Sequence, residues 1–269
     1  MRTLTTLVAT AALMWGAPAL AADGTLTYNG KTIAVREIAG GAIYAEAGNN
    51  GPSLEQIQVE IDAKGLSELL PLVDVMIKGG KDMPNLTLTT EGQTHTLFGV
   101  RLSNLVLPAC TAQSISDPRI QLALHVEKIK STLELKSATP VNLRPVAAMP
   151  LTSCTITITG AQVTADTVVQ PIFIGRHIDD GAVGELRDYD QPADSPAGSA
   201  VTLGGKSLNA WARKDLTLGT DGKATVIIAY ATASGPAFVL TYAEARPDSA
   251  SLVGGETSMT SNSMTLTKP

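Results

Sequence analysis

Leu86 and Leu88 are interleaved with Thr87 and Thr89, a turn-like Thr90-Glu91-Gly92-Gln93 follows, and Thr94, Thr96, Phe98, Val100 and Leu102 then share one parity. A period of two sends alternate side chains to opposite faces of a strand. The segment therefore predicts a hairpin whose arms present apolar residues to the same side. At Ser103-Asn104 the phase slips, because Leu105 and Leu107 fall on the opposite parity from Val100 and Leu102. One extra residue in a strand has this effect, and a β-bulge or bend is expected there. Ile120, Leu122, Leu124 and Val126 alternate with Gln121, Ala123, His125 and Glu127, and the parity switches again past Lys128, at Ile129, Leu133 and Leu135. Strands that change face midway suit barrels or sheets packed on both sides.

One stretch has a different period. "LSELLPLVDVMIKGG" repeats apolar residues at helical spacing and predicts a short amphipathic helix over 67–78, with Ser67 as N-cap, Pro71 in the first turn and Gly79 just past the end. Residues 137–150 carry Pro140, Pro145 and Pro150 with no period, the pattern of a linker. Strand patterns return in "CTITITG", "VVQPIFIG", "KATVIIAYATA" and "PAFVLTYAEA", and the Ser/Thr/Met tail is read as an edge strand. Residues 178–200 are polar, acidic and rich in Gly and Pro, as a long exposed loop would be. The expected fold is mainly β: two β-barrel or β-sandwich domains, 22–136 with the short helix and 151–269 with the acidic loop. "LTYNGKTIAVRE", "LTTEGQTHTLFGVRL" and "VTLGGKSLNAWARK" echo one another, which shared hairpin grammar and duplication explain equally.

The first 21 residues pair a basic Arg2 with a short apolar run and the small-residue pattern Ala19-Leu20-Ala21, which predicts a secretory signal peptide cleaved near Ala21. No run is long enough to span a membrane as a helix. A periplasmic or extracellular protein is the expectation, and in that compartment an even pair of cysteines, Cys110 and Cys154, reads as one disulfide. The net charge of −5 and an aromatic content of 4% weigh against a nucleic-acid partner, which needs clustered cations and stacking platforms.

Candidate chemistry is sparse. The chain's three histidines, His95, His125 and His177, have no metal-ligand spacing. His125 alternates outward and reads as a solvated residue, as does His95 beside its turn. "GGKSLNA" resembles the end of a phosphate loop. Ala200 stands where that loop's first glycine belongs, and no helix pattern follows, so a hairpin turn is expected. The densest group of titratable residues is Arg176, His177, Asp179, Asp180, Glu185, Asp188, Asp190 and Asp194, whose oxygens suit an ion or ligand without the ligand spacing of a helix-loop-helix calcium site. No catalytic residue, metal centre or cofactor is assigned.

Residues 56–135 resemble the superfamily of haemolysin-coregulated proteins and phage tail tubes. The likeness rests on strand, Asp62, short helix, Gly80-Lys81, a hairpin with Leu86 and Leu88, then Leu102, Asn104, Leu105 and Val106, and a final strand with Ile120, Leu122 and Leu124. It implies a small β-barrel flanked by one helix that stacks into rings through sheet edges and has no active site. The expected function is therefore an exported, non-catalytic structural or assembly protein that self-associates or binds a protein partner through strand edges, in the manner of a type VI secretion tube. The alternative is a periplasmic ligand-binding module, for calcium among others, or a hydrolase using the acidic loop near His177.

Overall fold

The computed structural model describes residues 24–41, 43–45, 52–80, 82–90, 93–111, 114–133, 149–175, 200–218, 222–251 and 255–269. As expected, the fold is mainly β. The strands up to the proline-rich segment are β1 (Gly24–Tyr28), β2 (Lys31–Gly40), β3 (Ile43–Ala45), β4 (Pro52–Leu54), β5 (Ile57–Ile61), β6 (Leu86–Thr90), β7 (Gln93–Phe98), β8 (Arg101–Leu107), β9 (Cys110–Thr111), β10 (Ile120–His125) and β11 (Lys128–Leu133). Those after it are β12 (Leu151–Ile158), β13 (Val168–Val169), β14 (Ile172–Gly175), β15 (Ala200–Gly204), β16 (Ala224–Thr232), β17 (Gly235–Ala250), β18 (Glu256–Thr260) and β19 (Ser263–Thr267). Among the described residues two helices, α1 (Ala63–Lys78) and α2 (Lys206–Leu218), interrupt them.

A nine-stranded sheet runs β11-β7-β6-β1-β2-β5-β10-β8-β14 and nearly closes into a barrel. Closure comes from two bent strands: β7 passes into β8 through Gly99-Val100, and β10 into β11 through Val126-Glu127. At the bend the Glu127 N–H donates to the Phe98 carbonyl at 3.0 Å. Gly99 has φ 61°, and a Cβ on it would lie 2.5 Å from Cγ of Glu127, so only glycine fits there. This corner also moves the inward parity. Leu97, opposite Leu86, is fully buried while Phe98 is only half-buried, so the β7 arm faces inward through Leu97 rather than through the expected Thr94-Thr96-Phe98 set. The expected bulge is present: Ala123 lies opposite Asn104 and Leu124 opposite Leu102, so Ser103 is the extra residue, and its buried hydroxyl donates to the Ala123 carbonyl at 3.0 Å.

Helix α1 begins four residues before the expected start. Asp62, not Ser67, is the N-cap, with Oδ1 accepting the Gly65 N–H at 2.8 Å and Oδ2 accepting the Met149 N–H at 2.9 Å. Pro71 therefore lies inside the helix, on its exposed side, where water can bond the Ser67 carbonyl that proline cannot serve. Gly79, at φ 70°, ends the helix as expected. Gly65 lets α1 sit close on β2, since a Cβ there would lie 2.6 Å from Cγ2 of Ile33. Besides β2, α1 packs on β8, β17 and β19.

The second sheet runs β12-β16-β17-β18-β15-β13-β9, with β19 also paired to β17. Pairing crosses residues 137–150 in both directions: β14 joins the first sheet beside β8, and β9 joins the second beside β13. The buried apolar residues of both sheets form one continuous cluster. Within the tail, β19 is the expected edge addition, pairing β17 alone among the described residues, whereas β18 lies inside the sheet between β17 and β15.

Both halves repeat one order of elements. Strand β5, α1, β6, the bent β7 and β8, then β10 and β11 correspond to β15, α2, β16, the long β17, then β18 and β19. The pairings correspond as well: β5 with β10 as β15 with β18, β10 with β8 as β18 with the end of β17, and β11 with β7 as β19 with the start of β17. Even the register slip beside β10, at Ala123/Leu124, has a counterpart beside β18, at Pro247/Ser249.

Candidate functional site

The acidic group proposed from sequence, Arg176, His177, Asp179, Asp180, Glu185, Asp188, Asp190 and Asp194, lies outside the described residues. Among the described residues no group of three or more His, Cys, Asp or Glu is placed to hold a metal ion, and no helix is long and apolar enough to cross a membrane. Cys110 and Cys154 are joined, with Cα atoms 6.0 Å apart.

The most distinctive surface is an edge. Strand β14, "IFIG", lies against β8 with Ile172 opposite Leu107, Phe173 opposite Val106 and Ile174 opposite Leu105. Ile172 and Ile174 point into the core, while Phe173 stands outward and is 65% exposed. Leu216 and Leu218 of α2 are the other large apolar residues exposed among the described residues. On its far side β14 has no strand neighbour among the described residues, and it carries no charge. The opposite end of the same sheet is β11, where Lys128 and Lys130 are exposed. Edge lysines discourage pairing with another chain, whereas an uncharged apolar edge offers its backbone to one. The signal legible in sequence was the short uncharged run after Pro171, with Phe173 at the outward parity.

On the outer face of the first sheet, Glu37 and Glu60 are direct cross-strand partners beside the bulge that skips Arg36. Asp117 and Arg119 flank them, with Arg119 Nε donating to Asp117 at 2.7 Å. Glu60 is only 8% exposed, and that burial pushes its carboxyl above the ordinary range against the opposing pull of Arg119 and Arg36. The bond from Arg119 holds Asp117 below its ordinary range. Mixed-sign charge of this kind, on an open sheet face, insulates that face from neighbours rather than enclosing a substrate.

His125 is buried, not solvated as its alternation predicts: it is 2% exposed and lies opposite Arg101, itself 3% exposed. Both sit beside the barrel corner, Arg101 just after Gly99-Val100 and His125 just before Val126-Glu127. Arg101 Nη2 lies 2.7 Å from Sδ of Met83. His95 is half-buried, with Nδ1 2.9 Å from the Ser131 hydroxyl.

"GGKSLNA" does open a helix, α2, and is not the expected hairpin turn. Its Leu208, Asn209 and Ala212 are buried, a narrow stripe that the polar composition obscured. The helix start is served from within the chain: Oδ2 of Asp166 accepts the Lys206 N–H at 3.3 Å. Thr164 also bonds Asp166, and together these hold that carboxyl below its ordinary range. The chain's own carboxylate thus occupies the position a phosphate would need.

No protein-family model matches the chain, and no curated protein is similar to it.

Proposed function

We propose that this protein is an exported, non-catalytic structural subunit that self-associates through its sheet edges into a ring- or tube-like assembly. The observation that carries the reading is β14: an uncharged edge strand with Phe173 standing 65% exposed on it, at the end of a sheet whose other end is marked by lysines. A main-chain edge with no strand beside it among the described residues supplies hydrogen bonds to an added strand, and the exposed aromatic supplies apolar area to bury with it. The disulfide suits a chain that works outside the reducing cytoplasm. Contacts between unlike surfaces of identical subunits generate closed rings or open filaments, depending on whether the rotation closes.

Light scattering coupled to size-exclusion chromatography tests the reading. The wild-type chain should elute as a concentration-dependent oligomer, and Phe173→Glu should shift it toward monomer without changing the melting temperature by more than a degree or two. A wild-type chain that stays monomeric at high concentration, with no rings or filaments under the electron microscope, would overturn it.

A further inference from the structure

Because the halves share one order of strands, a contact made inside the chain marks where its counterpart should be made outside it. Strand β14 arises between β13 and β15, leaves its own half and adds to β8 of the other. The corresponding interval of the first half, between β2 and β5, holds the β3–β4 hairpin. Among the described residues that hairpin pairs only with itself, Ile43 with Leu54 and Ala45 with Pro52, and belongs to neither large sheet.

The acceptor has a counterpart too. Strand β8 is matched by the end of β17, since each pairs with the strand that lies beside β5 or β15. In that part of β17 one side is taken by β18, through Pro247, Ser249 and Ala250. Strand β16 begins only at Ala224, opposite Ala245, so among the described residues no strand lies on the other side of residues 248–250. Among the described residues, one half thus has a strand pair that joins neither large sheet and the other has a matching edge with no strand beside it, both at positions filled once within the chain.

We infer that in the assembled protein the β3–β4 hairpin of one copy adds as a strand to the β17 edge at residues 248–250 of the next copy, repeating between chains the pairing that β14 and β8 make within one. The inference rests on the self-association reading and names its second contact. Donor and acceptor lie on different halves, so the contact is head-to-tail and each copy both gives and receives. Affinity comes from the main-chain ladder, and one added strand of three residues is weak alone. The assembly therefore needs this contact and the β14 edge together, as in multivalent binding.

Mixed cross-linking of the full chain tests it. Equal amounts of a Tyr44→Cys chain and a Ser249→Cys chain, oxidised together, should give a covalent dimer well above that formed by either alone. Tyr44→Pro, which removes a main-chain donor from the hairpin, should weaken association at least tenfold with an unchanged melting temperature. If Phe173→Glu dissociates the oligomer while Tyr44→Pro does not, and the mixture gives no excess cross-link, this contact is wrong and self-association stands. A wild-type chain that never associates overturns both.

Discussion

Cys110 and Cys154 join the two strands that end opposite sides of one sheet. Cys110 begins β9, the last strand on the β13 side, and Cys154 lies in β12, the last on the β16 side. The bond therefore ties the second sheet's ends together, with Cys110 joining that sheet through the pairing of β9 with β13. Its sequence separation is 44, for which loop-closure entropy gives about 4 kcal/mol. The double variant Cys110→Ser with Cys154→Ser should lose about 2–4 kcal/mol in chemical denaturation, and wild-type protein measured in reductant should match it. Equal stability with and without reductant would show that the seam holds without the bond.

The same seam has a hydrogen bond whose removal is clean. The buried Tyr230 hydroxyl donates to the Pro108 carbonyl at 3.0 Å, reaching from β16 to the segment just before β9. Tyr230→Phe keeps the ring stacked on Phe238, whose centroid is 4.8 Å away, and leaves the carbonyl without that donor. It should cost about 1–2 kcal/mol, read as a lower denaturation midpoint at unchanged slope.

Gly99→Ala should be among the most damaging single-methyl additions in the chain. It combines a positive φ of 61° with a Cβ position 2.5 Å from Cγ of Glu127, and the backbone term alone is about 1–2 kcal/mol. Because the steric part comes from Glu127, Gly99→Ala placed in a Glu127→Ala background should cost less than in wild type. A double-mutant cycle measures the difference, and additive losses would contradict the corner geometry.

Glu60 and Asp117 should act oppositely on stability. Burial raises the Glu60 carboxyl in the folded state, so between its unfolded and folded values the folded chain holds the extra proton, and stability falls as pH rises through that window. Asp117 is lowered by Arg119; its contribution is present above the unfolded value and lost as pH falls through the folded one. Glu60→Gln should therefore raise the melting temperature at pH 7 and leave it nearly unchanged at pH 4. A Glu60→Gln chain that melts lower at pH 7 would contradict the burial argument.

The sequence displayed what local periodicity controls and hid what depends on distant partners. The bulge at Ser103 was legible because one extra residue inverts the parity of everything after it. The corner at Gly99 was not, since Val100 and Leu102 keep the parity of Phe98 while the chain between them turns. His125 departs from alternation as well, because β10 is buried on both faces from Leu122 onward and a period of two describes a strand with one face open. Helix α2 buries too narrow a stripe for its polar sequence to declare. The two-residue β9 and four-residue β14 were invisible as exchanged strands, because nothing in two or four residues says which sheet will receive them. The acidic residues from Asp179 to Asp190, with His177, stand out in sequence by their density and lie outside the described residues, among which the surface the fold distinguishes is an uncharged strand.

The exchange of β9 and β14 also governs the order of events during synthesis. When residues 24–133 have been made, β8 has no β14 to cover its edge, and β9 has no β13 to join. The second half, in turn, lacks a terminal strand until β9 reaches it. Neither sheet can be finished before the other's sequence exists, so folding has to wait for the chain, and a truncation near residue 150 leaves a template for misassembly rather than a stable half.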